Sequence, residues 1–235
     1  MDIICVIPAR GNSKSIPNKN IINFDGKPLI AWTIEAAIKT KKFSRVIVST
    51  DNKKIAKVAS NFGAEVPFLR PKKLSGDNIH ATEATLHTIN WLNLNDKYFP
   101  EYTMMLLPTS PLRKSKHISG AINLLKKTKA SSVIGVCDTG KYIENLRYMK
   151  NSSLIKLKRN IKLNVQRQRL TTIYSVNGAI FIANTKKLAK NKSFHFNDGI
   201  GYVMDFLSSV DVNSYKDLDL AKNFNLILNL KKTMV

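Results

Sequence analysis

Acidic residues are scarce in this chain: 16 against 38 basic, a formal net charge of +22 and a pI near 10.0. An imbalance of that size is the electrostatic footprint of a nucleic-acid binder, so that class has to be tested first. Thirty of the 38 basic residues are lysines spread through every segment, with no ribonucleoprotein-like aromatic motif and no zinc-finger spacing. Charge distributed this way gives non-specific adhesion at low salt, and no specific nucleic-acid partner is expected. Cysteine is rarer still. Cys5 and Cys137 each sit in an apolar run, where a thiol behaves as a small hydrophobe, which excludes a disulfide framework and gives neither a nucleophile's setting. No apolar run approaches the roughly 20 residues a bilayer requires, and the N-terminus lacks the basic and apolar regions of a secretion signal. No membrane partner is expected, and the chain is assigned to the cytoplasm. Of the four histidines, His80 and His87 lie seven apart on one predicted helix while His117 and His195 have no companion, so no zinc site is read.

What is present is 235 residues at 43% hydrophobic, enough for one α/β domain with a sizeable core. Ile3-Ile4-Cys5-Val6-Ile7 reads as a buried strand, and it turns abruptly into Pro8-Ala9-Arg10-Gly11-Asn12-Ser13-Lys14-Ser15-Ile16-Pro17-Asn18-Lys19-Asn20. In open α/β sheets the ligand crevice lies beyond the carboxyl ends of the strands, where a basic loop can close on an anion. Arg10, Lys14 and Lys19 are the cations of this loop. Gly11 stands alone in it, so neither the dinucleotide fingerprint nor the P-loop fits, and a triphosphate here would be held mainly by side-chain charge.

Farther along, Pro28 to Lys42 has helical spacing and Arg45 to Ser49 reads as a strand. Asp51 follows, either as a functional carboxylate or as the cap of the helix of Ile55, Val58, Ala59 and Phe62, with the cap preferred. Glu65 to Leu69 reads as a short edge strand because Pro67 cannot join a central ladder. A turn-rich loop, Arg70 to Asp77, precedes a helix from Ala81 to Leu94. Tyr102 to Leu107 reads as a central strand broken by Pro108-Thr109-Ser110-Pro111, and a helix through Ile118 and Leu125 leads to the strand Ser131 to Val136. Core periodicity fades over 138–173, a length that is uncommon for a structureless loop. Asn177 to Ala183 returns to the sheet, Ser209 to Asn213 reads as the last strand, and Ser214 with Asp217 forms a capping box for the final helix.

The stretch Ala9 to Asn20 resembles the N-terminal motif of the CMP-sialic acid synthetases, the acylneuraminate cytidylyltransferases. The resemblance recurs in order at Phe24 to Ile30, Val48 to Asp51, Arg70-Pro71 with Asp77, Leu106 to Arg113, Asn177 to Phe181 and Val210 to Asn213, over roughly residues 3–225. It implies a three-layer α/β fold of the nucleotide-diphospho-sugar transferase type, a mostly parallel twisted sheet with helices on both faces. Residues 1–137 and 174–235 would form this domain, with 138–173 a small β-rich dimerisation arm inserted in it.

The resemblance further implies Mg²⁺-dependent transfer of CMP from CTP to a 2-keto sugar acid of the nonulosonic type. Arg10 and Lys14 would act on the triphosphate with Lys19, and Gly11, Asn12, Ser13, Asn20, Arg70 and Thr82 would hold the nucleotide, Thr82 standing in for the family's usual serine. A solvated surface role remains the alternative for Arg70. Asp77 would organise its loop. Thr109 and Asn177 would contact the sugar, with Arg167 reaching from the arm into a partner's sugar pocket in a homodimer. The family's metal pair is Asp-x-Asp; here it reads Asp211 and Asn213, one negative charge short. Leu107, Thr171 and Phe181 also depart from the family pattern, which suggests legionaminate, pseudaminate or a related sugar rather than N-acetylneuraminate. A catalytically impaired nucleotide-binding or assembly protein is the alternative.

Overall fold

Ile3 to Ile7 has no polar residue to turn toward water, and the computed structural model, which describes residues 1–157 and 166–233, buries it as β1 (Ile3–Pro8). After the basic loop, Asn23–Phe24 (β2) and Lys27–Pro28 (β3) pair across Asp25-Gly26, both at positive φ, as a tight aspartate-glycine hairpin demands. Then come α1 (Leu29–Lys39), β4 (Arg45–Ser49), α2 (Lys53–Asn61), α3 (Ala81–Asn95), β5 (Tyr102–Met105) and α4 (Ser115–Thr128). The chain continues through β6 (Ser132–Tyr142), β7 (Arg147–Lys150), β8 (Ser153–Lys156), β9 (Thr172–Asn184), α5 (Thr185–Asn191), β10 (Ile200–Met204) and α6 (Tyr215–Thr233).

Six strands form one sheet in the order β10-β6-β9-β5-β1-β4. The pairs β1–β4, β1–β5 and β10–β6 are parallel, whereas β9 runs antiparallel to both β5 and β6. Because side chains alternate across a strand, β1 feeds two cores. Ile3, Cys5 and Ile7 pack with Ile30 and Ile34 of α1, Ile55 of α2 and Ile118 and Ile122 of α4. On the other face Ile4 and Val6 meet Leu92 of α3, and Ile89 of α3 continues that layer with Phe181 and Leu188. The expected three-layer, mostly parallel fold is what forms. The α6 helix packs Leu218 and Ala221 against Ile16, Phe24 and Leu29, tying the basic loop to the end of the domain.

Both thiols are free and buried, and burial pushes Cys5 up to about 12, so Cys5 is not a nucleophile at neutral pH.

Two sequence expectations are corrected. Ser209 to Asn213 is not a strand: a 3-10 turn at Leu207–Ser209 opens into an extended loop, held by the Val212 N–H donating to the Thr109 carbonyl at 2.8 Å. The last strand is instead β10, whose segment Ile200-Gly-Tyr-Val-Met lacks a continuous apolar run. Glu65 to Leu69 makes only two isolated parallel bridges, Ile47 with Glu65 and Thr50 with Leu69, as Pro67 between them would require.

The boundaries drawn at 137 and 174 fall inside continuous strands. β6 and β9 run out of the sheet into the 138–173 segment, losing burial after Cys137 and regaining it at Asn177. Their pairing slips register between Ile134 and Val136 and again between Asp138 and Tyr142. β7 and β8 form a separate hairpin at the outer end.

His117, in the first turn of α4, accepts the Lys114 N–H through Nδ1 at 3.2 Å and is 5% exposed. Burial, with neighbouring Lys116, pushes its pKa down to about 4. Between pH 6.5 and 4 the unfolded chain therefore binds the proton first, and stability falls with pH by up to about 1.4 kcal/mol per unit. His117→Gln keeps an acceptor for the cap but cannot titrate. Its thermal midpoint should depend less steeply on pH than the wild type's over that window, as read by circular dichroism.

Candidate active site

The turns leaving β1, β4 and β5 at their carboxyl ends meet over one crevice, and the first is held by the second. The Gly11 N–H donates to Asp51 Oδ1 at 2.8 Å. A β-carbon on Gly11 would lie 2.9 Å from Cβ of Asn52, so only glycine lets the two turns approach this closely. Asn52, not Asp51, caps α2, its Oδ1 accepting from the Lys54 and Ile55 N–H groups at 2.8 and 3.2 Å. The capping reading of Asp51 was off by one residue. Either side chain can cap, and their spacing from the first apolar helical residue did not separate them.

Freed from the helix, Asp51 also faces Arg70 at 3.9 Å. Arg70 is only 6% exposed, which excludes the solvated role; its N–H donates to the Thr50 carbonyl at 2.8 Å and its Nε to Ser75 Oγ at 3.1 Å. Burial pushes the Arg70 guanidinium below its ordinary value, and Asp51 opposes that shift.

Arg10, Lys19, Asn20, Arg70, Thr109, Asp211 and Asn213 line one cavity of about 230 Å³. Cations from the first turn thus converge with the carboxylate expected to face them, although the two lie some 200 residues apart in the chain. Asn20 Nδ2 donates to the Arg10 carbonyl at 2.9 Å, and Lys19 Nζ donates to the Val212 carbonyl at 3.1 Å and to Asn213 Oδ1 at 3.4 Å. Burial lowers the pKa of Lys19 while Asp211 raises it. Asp217 fixes the Asp211 loop from behind, accepting the Asn213 and Ser214 N–H groups at 3.0 and 2.7 Å in the expected capping box. Gly178, at φ +72°, lies beside Asp211, where a β-carbon would come within 3.8 Å of the carboxyl carbon.

The remaining sequence-derived residues are placed differently. Asn12, Ser13 and Lys14 line an adjoining hollow with Gly11. Thr82 is half-buried in the first turn of α3, outside the residues lining the cavity. Asn177 is 6% exposed and spends its amide on internal partners, donating to Ser209 Oγ at 3.0 Å and accepting the Ala179 N–H at 3.1 Å. It thereby ties β9 to the turn that leads to Asp211. The Arg167 side chain lies outside the described residues.

Sequence reasoning gave Arg113 no role, yet it is 1% exposed and joins three elements. Its guanidinium donates to the carbonyls of Ala179 at 2.8 Å and Leu107 at 3.2 Å and to Thr33 Oγ1 at 2.6 Å. No carboxylate pairs with it among the described residues, and burial lowers its pKa to about 10, still protonated at neutral pH. Its position two residues past Pro111 was the available signal.

A larger hollow of about 830 Å³ opens between α1, the start of α4 and the 205–208 turn. It shares no lining residue with the crevice. Size alone does not mark the site; the converging charges and loop ends do.

Gly11→Ala should strain the junction of the first two turns, at about 1–3 kcal/mol for a forced contact of this kind. A lower thermal midpoint, read by circular dichroism, is the expected result.

Comparison with known proteins gives a consistent picture. A cytidylyltransferase family profile matches residues 4–230. The chain is 35% identical over 222 residues to an N-acylneuraminate cytidylyltransferase of Escherichia coli, covering 93% of this chain and 51% of that protein. It thus spans about half the length of that relative. It is 33% identical over 225 residues to a CMP-N,N'-diacetyllegionaminic acid synthase of Legionella pneumophila, covering 94% and 95% of the two. A pseudaminic acid cytidylyltransferase of Campylobacter jejuni is 29% identical, with 94% and 95% covered. Among solved structures, CMP:2-keto-3-deoxy-manno-octonic acid synthetase in complex with CTP superposes with a TM-score of 0.70 at 12% identity over 97% of this chain and 99% of that one, a likeness of fold. With its basic first turn and the Asp211 loop inside the matched span, the chain belongs to the cytidylyltransferase family.

Proposed function

We propose that the protein transfers CMP from CTP to the anomeric hydroxyl of a nonulosonic acid. The observation that carries this reading is the convergence of Arg10, Lys19, Arg70 and Asp211 on one crevice. The sugar oxygen attacks the α-phosphorus, the bond to the β-phosphate oxygen breaks, pyrophosphate leaves, and the hydroxyl proton passes to solvent. Negative charge grows on the departing oxygens, and Arg10, Lys14 and Lys19 offer preplaced positive charge to them. Arg70, buried and braced by Asp51, holds the nucleoside with Asn20, and Thr109 presents a hydroxyl to the sugar.

The residues fit a hard cation. Asp211 Oδ1 is buried with no hydrogen-bond partner among the described residues, an anionic oxygen left for a ligand. No three histidine, cysteine, aspartate or glutamate side chains converge among those residues, so Asp211 and Asn213 would share Mg²⁺ with phosphate oxygens. Bound there, the ion neutralises the triphosphate and lowers the pKa of the attacking hydroxyl. Asn213 at present donates through Nδ2 to Asp211 Oδ2 at 2.7 Å, which holds the carboxylate in place at the cost of one charge.

Leu107 lines the crevice without a polar group, which supports a legionaminate- or pseudaminate-like substrate, whereas Phe181 is buried in the core against Phe194, outside the residues lining the crevice. No helix of the described residues is long and apolar enough to cross a membrane, and the two reduced, buried thiols fit a cytoplasmic setting. The 138–173 segment exposes Met149 at 71% and Leu154 at 69%, apolar surface that a second copy would cover in a homodimer.

Purified protein incubated with CTP, Mg²⁺ and a panel of nonulosonic acids should release pyrophosphate with at least one of them. CTP binding without pyrophosphate release across the panel would instead favour a nucleotide-binding protein without catalysis. In Asn213→Asp two carboxylates face each other, so the metal-free protein should melt lower and the Mg²⁺ needed for half-maximal activity should fall roughly tenfold. Leu154→Asp should shift sedimentation from dimer to monomer.

A further inference from the structure

The loop Arg70 to Asp77 is held differently at its two ends. At its start Arg70 is buried and bonded to the β4 turn, whereas at its far end Asp77 is an exposed residue holding two cations of the first turn. Asp77 Oδ1 lies 2.9 Å from Arg10 Nη1 and Oδ2 lies 2.8 Å from Lys14 Nζ, and Arg10 Nη1 also reaches the Gly76 carbonyl at 3.4 Å. Ser75 and Gly76 line both the crevice and the hollow over Gly11 to Lys14, so this strap is the partition between them. The crevice behind it, about 230 Å³, is smaller than the roughly 300–1,000 Å³ usual for a site that encloses a small molecule.

Resting on the cytidylyltransferase reading above, we infer that Asp77 is an internal surrogate for phosphate, which occupies Arg10 and Lys14 when no nucleotide is bound and sets how tightly the enzyme holds polyphosphates. A carboxylate and a phosphate oxygen compete for the same N–H donors. A triphosphate carries several negative charges against the single one on Asp77, so it displaces the strap and joins the two hollows into one site. The exchange weakens the apparent affinity for CTP, since only the displaced state binds. It weakens pyrophosphate by the same factor, and the returning carboxylate helps the product leave. Asp77 does not itself touch the reacting atoms; it acts through Arg10 and Lys14.

The test is calorimetric titration of wild type, Asp77→Asn, Asp77→Ser and Asp77→Glu with inorganic tripolyphosphate and with CTP. The Asn and Ser variants should bind both anions roughly fivefold more tightly, the scale set by two exposed ion pairs, and pyrophosphate should inhibit them at correspondingly lower concentration. The Glu variant, which keeps the charge, should stay near wild type. Equal or weaker tripolyphosphate binding by the Asn and Ser variants, or no tripolyphosphate binding by any of the four proteins, overturns the inference. The cytidylyltransferase reading fails separately, if wild type binds tripolyphosphate but does not bind CTP.

Discussion

Like charges gathered at one place repel, and the crevice and the hollow beside it gather Arg10, Lys14, Lys19 and Arg70 in a chain that already carries +22. The structure resolves this by giving each cation a nearby carboxylate drawn from a distant segment. Asp51 faces Arg70, Asp77 bridges Arg10 and Lys14, and Asp211 is the carboxylate that offsets the burial of Lys19. With so few acidic residues in the chain, three spent here form a considerable share. The surplus basic charge elsewhere raises the local concentration of any anionic substrate around the protein, while the three carboxylates decide the geometry in which it is received.

Beneath this charged layer the bonds are made to neutral partners. Arg113 is tied to carbonyls and a threonine hydroxyl rather than to an acid, and it joins α1, the end of β5 and β9 under the crevice. Asn177 does the same between β9 and the turn before Asp211. Neutral partners of this kind fix position without adding a field that would compete for the phosphate-binding cations.

The fold was largely legible because most of its strands are continuous apolar runs and its helices carry long apolar faces, both of which show in a single sequence. The failures have local causes. β10 joins the sheet at an edge and alternates weakly, so its pattern is faint. Val210 and Val212 read as a strand because they are β-branched, yet Val212 is buried by α6 and the Thr109 carbonyl rather than by a ladder. In the site, the cationic turn and Asp211 were visible as residue types at strand ends. The pairing of Asp77 with two of those cations and the bracing by Asp51 were not, because each depends on which loops touch, and nothing in the local sequence encodes that.

Where β6 and β9 leave the sheet, their two slips in pairing act as elbows. The direction in which the outlying hairpin is aimed is therefore set at its base, between Ile134 and Tyr142, not by the residues at its tip. Tip sequences are free to drift toward new contacts without re-aiming the limb, whereas a one-residue deletion between the elbows would swing it bodily toward a different neighbour.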